Sequence, residues 1–340
     1  MTDTLSWAGA LLLLIVGISP ALGHADDSRA HEDGTSPFCI GLHQIVLPRG
    51  AVPRVAATYA GLRDQHEGAA VWGDLLASLN SRASTAQDKT AFPSARALEL
   101  YRAAGADPET AFSDSRLVGF DVYDGVAVIA EHDGPAASFT IEAHQLLDGQ
   151  HYVFKGEGSL ASRYPSIRDG ILETVSRYRP RRDGVSPLRD AFCSVHGAYL
   201  IRDGTDVAGD AQLVVTFPEM PEVTFSLSIY GLVQEAREQP FLQRVARDFA
   251  GLVMRESRAR KLHGGRRKYG GQQGRIAAVR MPSEDGPGWD YRYFWHAPGR
   301  PMDAYAPEIE AELVVQAAHG FDRQAVDALW LELMKSLTLR

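Results

Sequence analysis

Residues that make chemistry legible are scarce in this chain of 340 residues: it has two cysteines, no C-x-x-C pair, and eleven histidines scattered singly rather than at close ligand spacing. There is no G-x-S-x-G elbow, no H-E-x-x-H, no Walker loop and no G-x-G-x-x-G after a strand, so the common signatures of hydrolases, metalloproteases and nucleotide enzymes are missing. Excess charge is small too. With 35 Lys plus Arg against 43 Asp plus Glu, the net charge of -8 argues against wholesale nucleic-acid binding, which favours a basic balance. Long apolar runs are absent but for one, at residues 5–22.

That run has the order of a secretory signal peptide: a core ALLLLIVGI, a helix breaker at Pro20, and small residues at Ala21 and Gly23. Residues 1–25 are therefore read as a signal, cleaved after Gly23 or Ala25. The segment MTDTLSW ahead of the core lacks Lys and Arg, and an uncleaved membrane anchor is the alternative. Residues 26–37 are polar and read as a flexible leader. A lipid anchor is not expected, because no cysteine lies near the cleavage site.

What is present is a globular composition, 45% hydrophobic and 23% charged, long enough for about two domains. The two cysteines each open a similar phrase, FCIGLHQIVLP at Phe38 and FCSVHGAYLIRD at Phe192. Each phrase begins a segment that closes on an amphipathic helix ending in arginine. The expected fold is α+β, with two similar lobes, each an antiparallel sheet covered by helices: residues 38–180 and 191–340, joined by a charged, Pro-containing linker at 181–190. For Cys39 and Cys193 two readings stand side by side. In an exported protein they could form a disulfide that staples the first strands of the lobes, or each could be a small buried hydrophobe in its own core.

Periodicity predicts helices at AAVWGDLLASLNSR and PSARALELYRAAGA, then a meander LVGFDVY, VAVIAEHD, ASFTIEAHQLL and HYVFKGEG with turns at Asp124-Gly125, Gly134-Pro135 and Asp148-Gly149, covered by a helix over residues 164–178. The passage between the FCIGLHQIVLP strand and the first helix reads as rich in loops. In the second half, AQLVVTFPE, VTFSLSIYGLV, RIAAVRMP, WDYRYFWHA and EIEAELVVQA read as strands. Residues 240–262 read as a helix, and Asp322 caps a last one.

Three features invite a functional reading. Residues 255–275, RESRARKLHGGRRKYGGQQGR, concentrate positive charge in an acidic chain: Arg266, Arg267, Lys268 and Tyr269 are candidate partner contacts on a glycine-rich, mobile loop, against the plainer reading of a helix end at Arg258, Arg260 and Lys261 followed by a solvated hairpin. The strand bearing Trp289, Tyr291, Tyr293 and Trp295 on one face suits a binding surface, though core packing explains it as well. His132 with Asp133, or His144 near His151, are the best metal candidates, but neither has the spacing of a zinc motif, and no metal, cofactor or catalytic residue is expected.

The FC-x-G…LP opening, the second FC, the G-x-x-G turn in GGQQGRIAAV, WDYRYFWHAPG, PEIEAEL and the closing ALWLELMKSLTLR, in that order, resemble the immunity proteins of the type VI secretion system that neutralise lipase effectors and consist of an N-terminal and a C-terminal family domain. The resemblance spans residues 38–340 and is strongest after Phe192. Leu42 and Gln273-Gly274-Arg275 depart from it, the latter standing where acidic residues are usual. It implies a periplasmic protein without enzymatic activity whose two lobes clamp the lid region of a cognate phospholipase toxin, with no nucleic acid and no stable membrane insertion after signal cleavage. A binding or scaffold protein of the cell envelope, holding a small ligand or cell-wall polymer between the lobes, is the alternative.

Overall fold

The computed structural model describes residues 23–24, 36–89, 95–103, 105, 115–132, 138–181, 190–201, 209–232, 260–283, 288–316 and 323–340. In the first half the strands are β1 (Gly23–His24), β2 (Ser36–Ile40), β3 (His43–Leu47), β4 (Val52–Thr58), β5 (Arg63–Ala69), β6 (Leu117–Tyr123), β7 (Val126–His132), β8 (Ser138–Leu147), β9 (Gln150–Ser159) and β10 (Tyr178–Pro180). The helices of that half are α1 (Trp72–Gln87), α2 (Ala95–Ala103) and α3 (Tyr164–Ser176). The second half contributes β11 (Ala191–Cys193), β12 (Gly197–Leu200), β13 (Asp210–Phe217), β14 (Met220–Tyr230), β15 (Arg260–Tyr269), β16 (Gln272–Pro282), β17 (Trp289–Ala297), β18 (Glu308–Val315), α4 (Arg323–Ser336) and β19 (Thr338–Leu339). The architecture is α+β, and every strand pairing is antiparallel.

The meander forms as its alternation and turns predict, in a five-stranded sheet ordered β5-β9-β8-β7-β6. Its β7 reads Val-Ala-Val-Ile-Ala without a polar break because both faces are covered. Ala127 and Ile129 pack with Leu79 and Ala83 of α1, while Val128 and Ala130 join the main core with Ile171 and Val175 of α3.

The second sheet has eight strands in the order β1-β4-β13-β14-β18-β17-β16-β15. Its core face is written in period two: Leu213 and Val215, then Val223, Phe225, Leu227 and Ile229, then Ile309, Ala311, Leu313 and Val315, all buried. Tyr291, Tyr293 and Trp295 continue that face inward, and Trp330 of α4 lies 5.7 Å from Tyr293, ring to ring. The aromatic stripe is therefore core, as packing alone would have it, and not a binding surface.

Three expectations are corrected. Residues 52–69, read as loop, form β4 and β5; β4 crosses to the second half and pairs with β13 from Thr58↔Asp210 to Val52↔Thr216. Arg260 and Lys261, read as a helix end, begin β15 opposite Arg280 and Val279. Residues 240–259 of that expected helix lie outside the described residues, as do the turn at Gly134-Pro135, residues 182–189 of the linker, residues 26–35 of the leader and nearly all of the signal. Finally, the basic hairpin is not a loose loop, because its glycines sit in or between paired strands.

Two small sheets complete the molecule, β19-β3-β2 and β10-β12-β11. The first brings the C-terminus onto the N-terminal strands: α4 packs on β3, and the Arg340 amide donates to the Leu42 carbonyl at 3.0 Å. The two halves of the chain thus share one continuous core.

Candidate partner interface

The repeated phrases meet. Gly41 takes a positive φ of 53° just after Cys39-Ile40, which frees its backbone to bridge Cys193: the Cys193 amide donates to the Gly41 carbonyl at 2.7 Å and the Gly41 amide to the Cys193 carbonyl at 3.1 Å. Cys39 and Cys193 are joined by a disulfide with their Cα atoms 5.9 Å apart, 154 residues apart in sequence, and both are buried. Arg340 Nη1 lies 3.2 Å from Cys39 Sγ, so the last residue closes over the bond.

Beside it lies a carboxylate that the sequence did not announce. Asp64 of β5 is buried and accepts three hydrogen bonds on Oδ2: from Ser194 Oγ (2.8 Å), the His196 amide (2.9 Å) and the Tyr178 hydroxyl (3.1 Å). One acid thereby ties the five-stranded sheet to β10 and the loop after β11. No periodicity marks Asp64, since RDQHEGA opens on five polar residues and shows no apolar alternation; only its three partners reveal it.

The basic hairpin occupies the far edge of the eight-stranded sheet. Gly270 and Gly271, with φ of 55° and 81°, make the two-residue turn that joins Tyr269 to Gln272, a conformation that glycine adopts without strain. The turn is docked. The Gly270 amide donates to the Leu337 carbonyl, and a side chain at Gly270 would press on Leu337 and His43 at 3.1–3.2 Å. Trp295 Nε1 donates to the Arg267 carbonyl at 3.2 Å, and His263 Nε2 bonds Asp327 Oδ1 of α4 at 2.8 Å. Burial would raise the Asp327 carboxyl, but the Tyr293 hydroxyl and His263 outweigh it and hold it below the ordinary value.

On this scaffold Arg266, Arg267 and Lys268 are exposed, whereas Tyr269 is only 9% exposed and packs against Trp295 at 5.5 Å. Of the four expected contacts, three face solvent and the tyrosine belongs to the core. Sequence alone did not place Arg275, which stands directly opposite Arg266 and is also exposed. Across the hairpin, residues 260–282 carry seven Arg and Lys and no Asp or Glu.

Of the metal candidates, His144 and His151 do meet: His144 Nδ1 lies 3.1 Å from His151 Nε2. On its other side His144 lies 3.3 Å from Glu142, which also takes Arg82 Nη1 at 2.6 Å. Burial would raise the Glu142 carboxyl, yet the hydrogen bonds from His144 and Arg82 prevail and hold it near a pKa of about 2. His132 bonds the Ser138 carbonyl at 3.0 Å, and Asp133 lies outside the described residues. Among the described residues the three groups whose spacing suits a metal ion are His296, Glu308 and Glu310, with ligand atoms within 4.8 Å of one another. There His296 Nε2 bonds Glu308 Oε1 at 2.8 Å.

Comparison with known proteins gives this geometry a family context. Residues 187–340 match the family described as Tle cognate immunity protein 4 C-terminal domain. No curated protein matches the chain. Among solved structures, the apo immunity protein TplEi of the type VI secretion system from Pseudomonas aeruginosa is similar with a TM-score of 0.72 at 17% identity, over 90% of this chain and 97% of that one. A Tle4-Tli4 complex gives 0.72 at 16%, over 91% and 99%. TplEi complexed with an "L" peptide gives 0.67 at 16%, over 91% and 99%. At such identities the likeness shows the fold, and it extends through nearly the whole chain. The family match falls where the motif resemblance is strongest, after Phe192.

Proposed function

We propose that this chain, whose residues 187–340 match the family described as Tle cognate immunity protein 4 C-terminal domain, is an immunity protein that binds and inhibits a phospholipase effector of the type VI secretion system in the periplasm, without catalysis of its own. The observation that carries the reading is the coincidence of that family match with a fold shared over 90% of the chain with a type VI immunity protein. The expected signal at residues 1–25 would export it, and no helix among the described residues is long and apolar enough to cross a membrane. Stoichiometric neutralisation of a toxin calls for a large, preformed interface rather than a pocket. The disulfide and Asp64 hold the two halves in one rigid arrangement of that kind, consistent with a clamp on the effector's lid. A small-ligand cleft between the halves loses its main support, because the aromatic strand that would line it is buried in the core.

Titrating a candidate type VI phospholipase effector with the mature protein, and measuring lipid hydrolysis, tests the reading. The expected outcome is inhibition that saturates at a fixed molar ratio. Undiminished hydrolysis at a several-fold excess would sink it.

A further inference from the structure

We infer that β15 is a docking edge for an extended, acidic segment of the protein partner, which adds as a further strand alongside it. The identity of that partner rests on the immunity reading; the chemistry of the edge does not.

Four observations converge. β15 ends the order of the eight-stranded sheet and pairs only with β16 among the described residues, so its other long side presents backbone donors and acceptors to an incoming strand. Over Arg260–Lys268 the strand is exposed or half-exposed, and a side chain added at Gly265 would meet nothing within 4 Å, leaving the backbone open to close approach. The edge is stiff: it is tied to Leu337, Trp295 and Asp327 by the bonds described above, so docking would cost little ordering. Finally, its charge is of one sign and is left uncompensated around the turn. Arg266 faces Arg275 across the ladder, a like-charge pair that a sheet disfavours, and none of Arg266, Arg267, Lys268 and Arg275 has an ion pair among the described residues.

Cations on an edge strand ordinarily deter pairing. Here they deter it selectively. A second copy of β15 would set five cations against five and is repelled, while a strand carrying Asp or Glu gains both the backbone ladder and the charge. Nucleic acid is disfavoured by the acidic balance of the rest of the chain.

The test uses the whole mature protein. Hydrogen exchange is followed in the segment 260–269, alone and with the phospholipase that it inhibits; slowed exchange there is expected. The variant R266E/K268E/R275E should fold normally, bind at least about tenfold more weakly at low salt and lose most of the salt dependence. Inhibition with unchanged exchange in 260–269 and unchanged affinity of the variant would overturn the docking edge while leaving the immunity reading intact. Absence of any inhibition would overturn that reading instead, and the edge is then judged with a labelled peptide of alternating Glu and Val. Binding of this peptide that disappears in the charge variant, and in a copy N-methylated at alternate residues, supports strand addition. Equal binding of the N-methylated copy reduces the edge to electrostatics and overturns it. Cosedimentation with phosphatidylglycerol vesicles that depends on the same cations, without peptide binding, overturns it in favour of a lipid surface.

Discussion

The seam between the halves and the hairpin at the sheet edge treat polar groups in opposite ways. At the seam most polar groups are answered internally: Cys39 by Cys193, Asp64 Oδ2 by three donors, Arg340 by the Leu42 carbonyl and the disulfide. At the hairpin Arg266, Arg267, Lys268 and Arg275 face water without an acid opposite them. The difference separates what holds the molecule together from what it offers to another. Buried groups left unpaired cost stability, so the seam pairs most of its own. Exposed like charges cost only tenths of a kcal/mol, so an edge can keep them for a partner.

Cutting the seam should have the largest effect. Removing a disulfide that closes a loop of 154 residues, as in C39A/C193A, is expected to lower unfolding stability by about 4–5 kcal/mol on the chain-entropy account. Calorimetry checks it, and a loss below about 1 kcal/mol would mean that the core and Asp64 hold the halves unaided.

Acid should strain the contact between the two regions next. His43 is fully buried in β3 against the Gly270 turn; burial pulls its pKa down to about 4, with a smaller upward pull from the Gly270 backbone. Between pH 6.5 and 4 the unfolded chain binds a proton there that the folded chain refuses. This contribution is therefore intact above pH 6.5 and is lost on acidification, by about 2–3 kcal/mol at pH 4.5. Urea unfolding at pH 7 and 4.5 should show His43→Gln with a flatter pH dependence than the parent; parallel profiles would remove His43 from the account.

The smallest effect should come from the hairpin itself, and with the opposite sign. Arg275→Gln removes the like-charge pair with Arg266 and should raise stability by a few tenths of a kcal/mol. A measurable loss instead would show that Arg275 is held by the fold and not kept for a partner.

Strands with their own alternation, such as Val223 to Ile229, and the apolar run of β7 were readable because their pattern states burial directly. β5 was not, since RDQHEGA has no apolar face and becomes a strand only because β9 offers a ladder to it. For the same reason Arg260 and Lys261 passed for a helix end. Of the candidate contacts, the exposure of three cations followed from charge alone, but the burial of Tyr269 and the placing of Arg275 opposite Arg266 did not, because orientation and cross-strand neighbours follow from register.

Local pattern and composition thus sufficed for the α+β class, the meander, the last helix and the existence of one cationic segment, since each depends on residues close together in the chain. Tertiary structure alone decided that the two FC phrases are bonded to each other, that β4 crosses into the sheet of the second half, that Asp64 ties the seam and that the cationic segment is a docked edge strand. The first three depend on pairings between residues a hundred or more positions apart, and the docking of the hairpin on contacts reaching Leu337 and Asp327, where geometry rather than sequence spacing sets who meets whom.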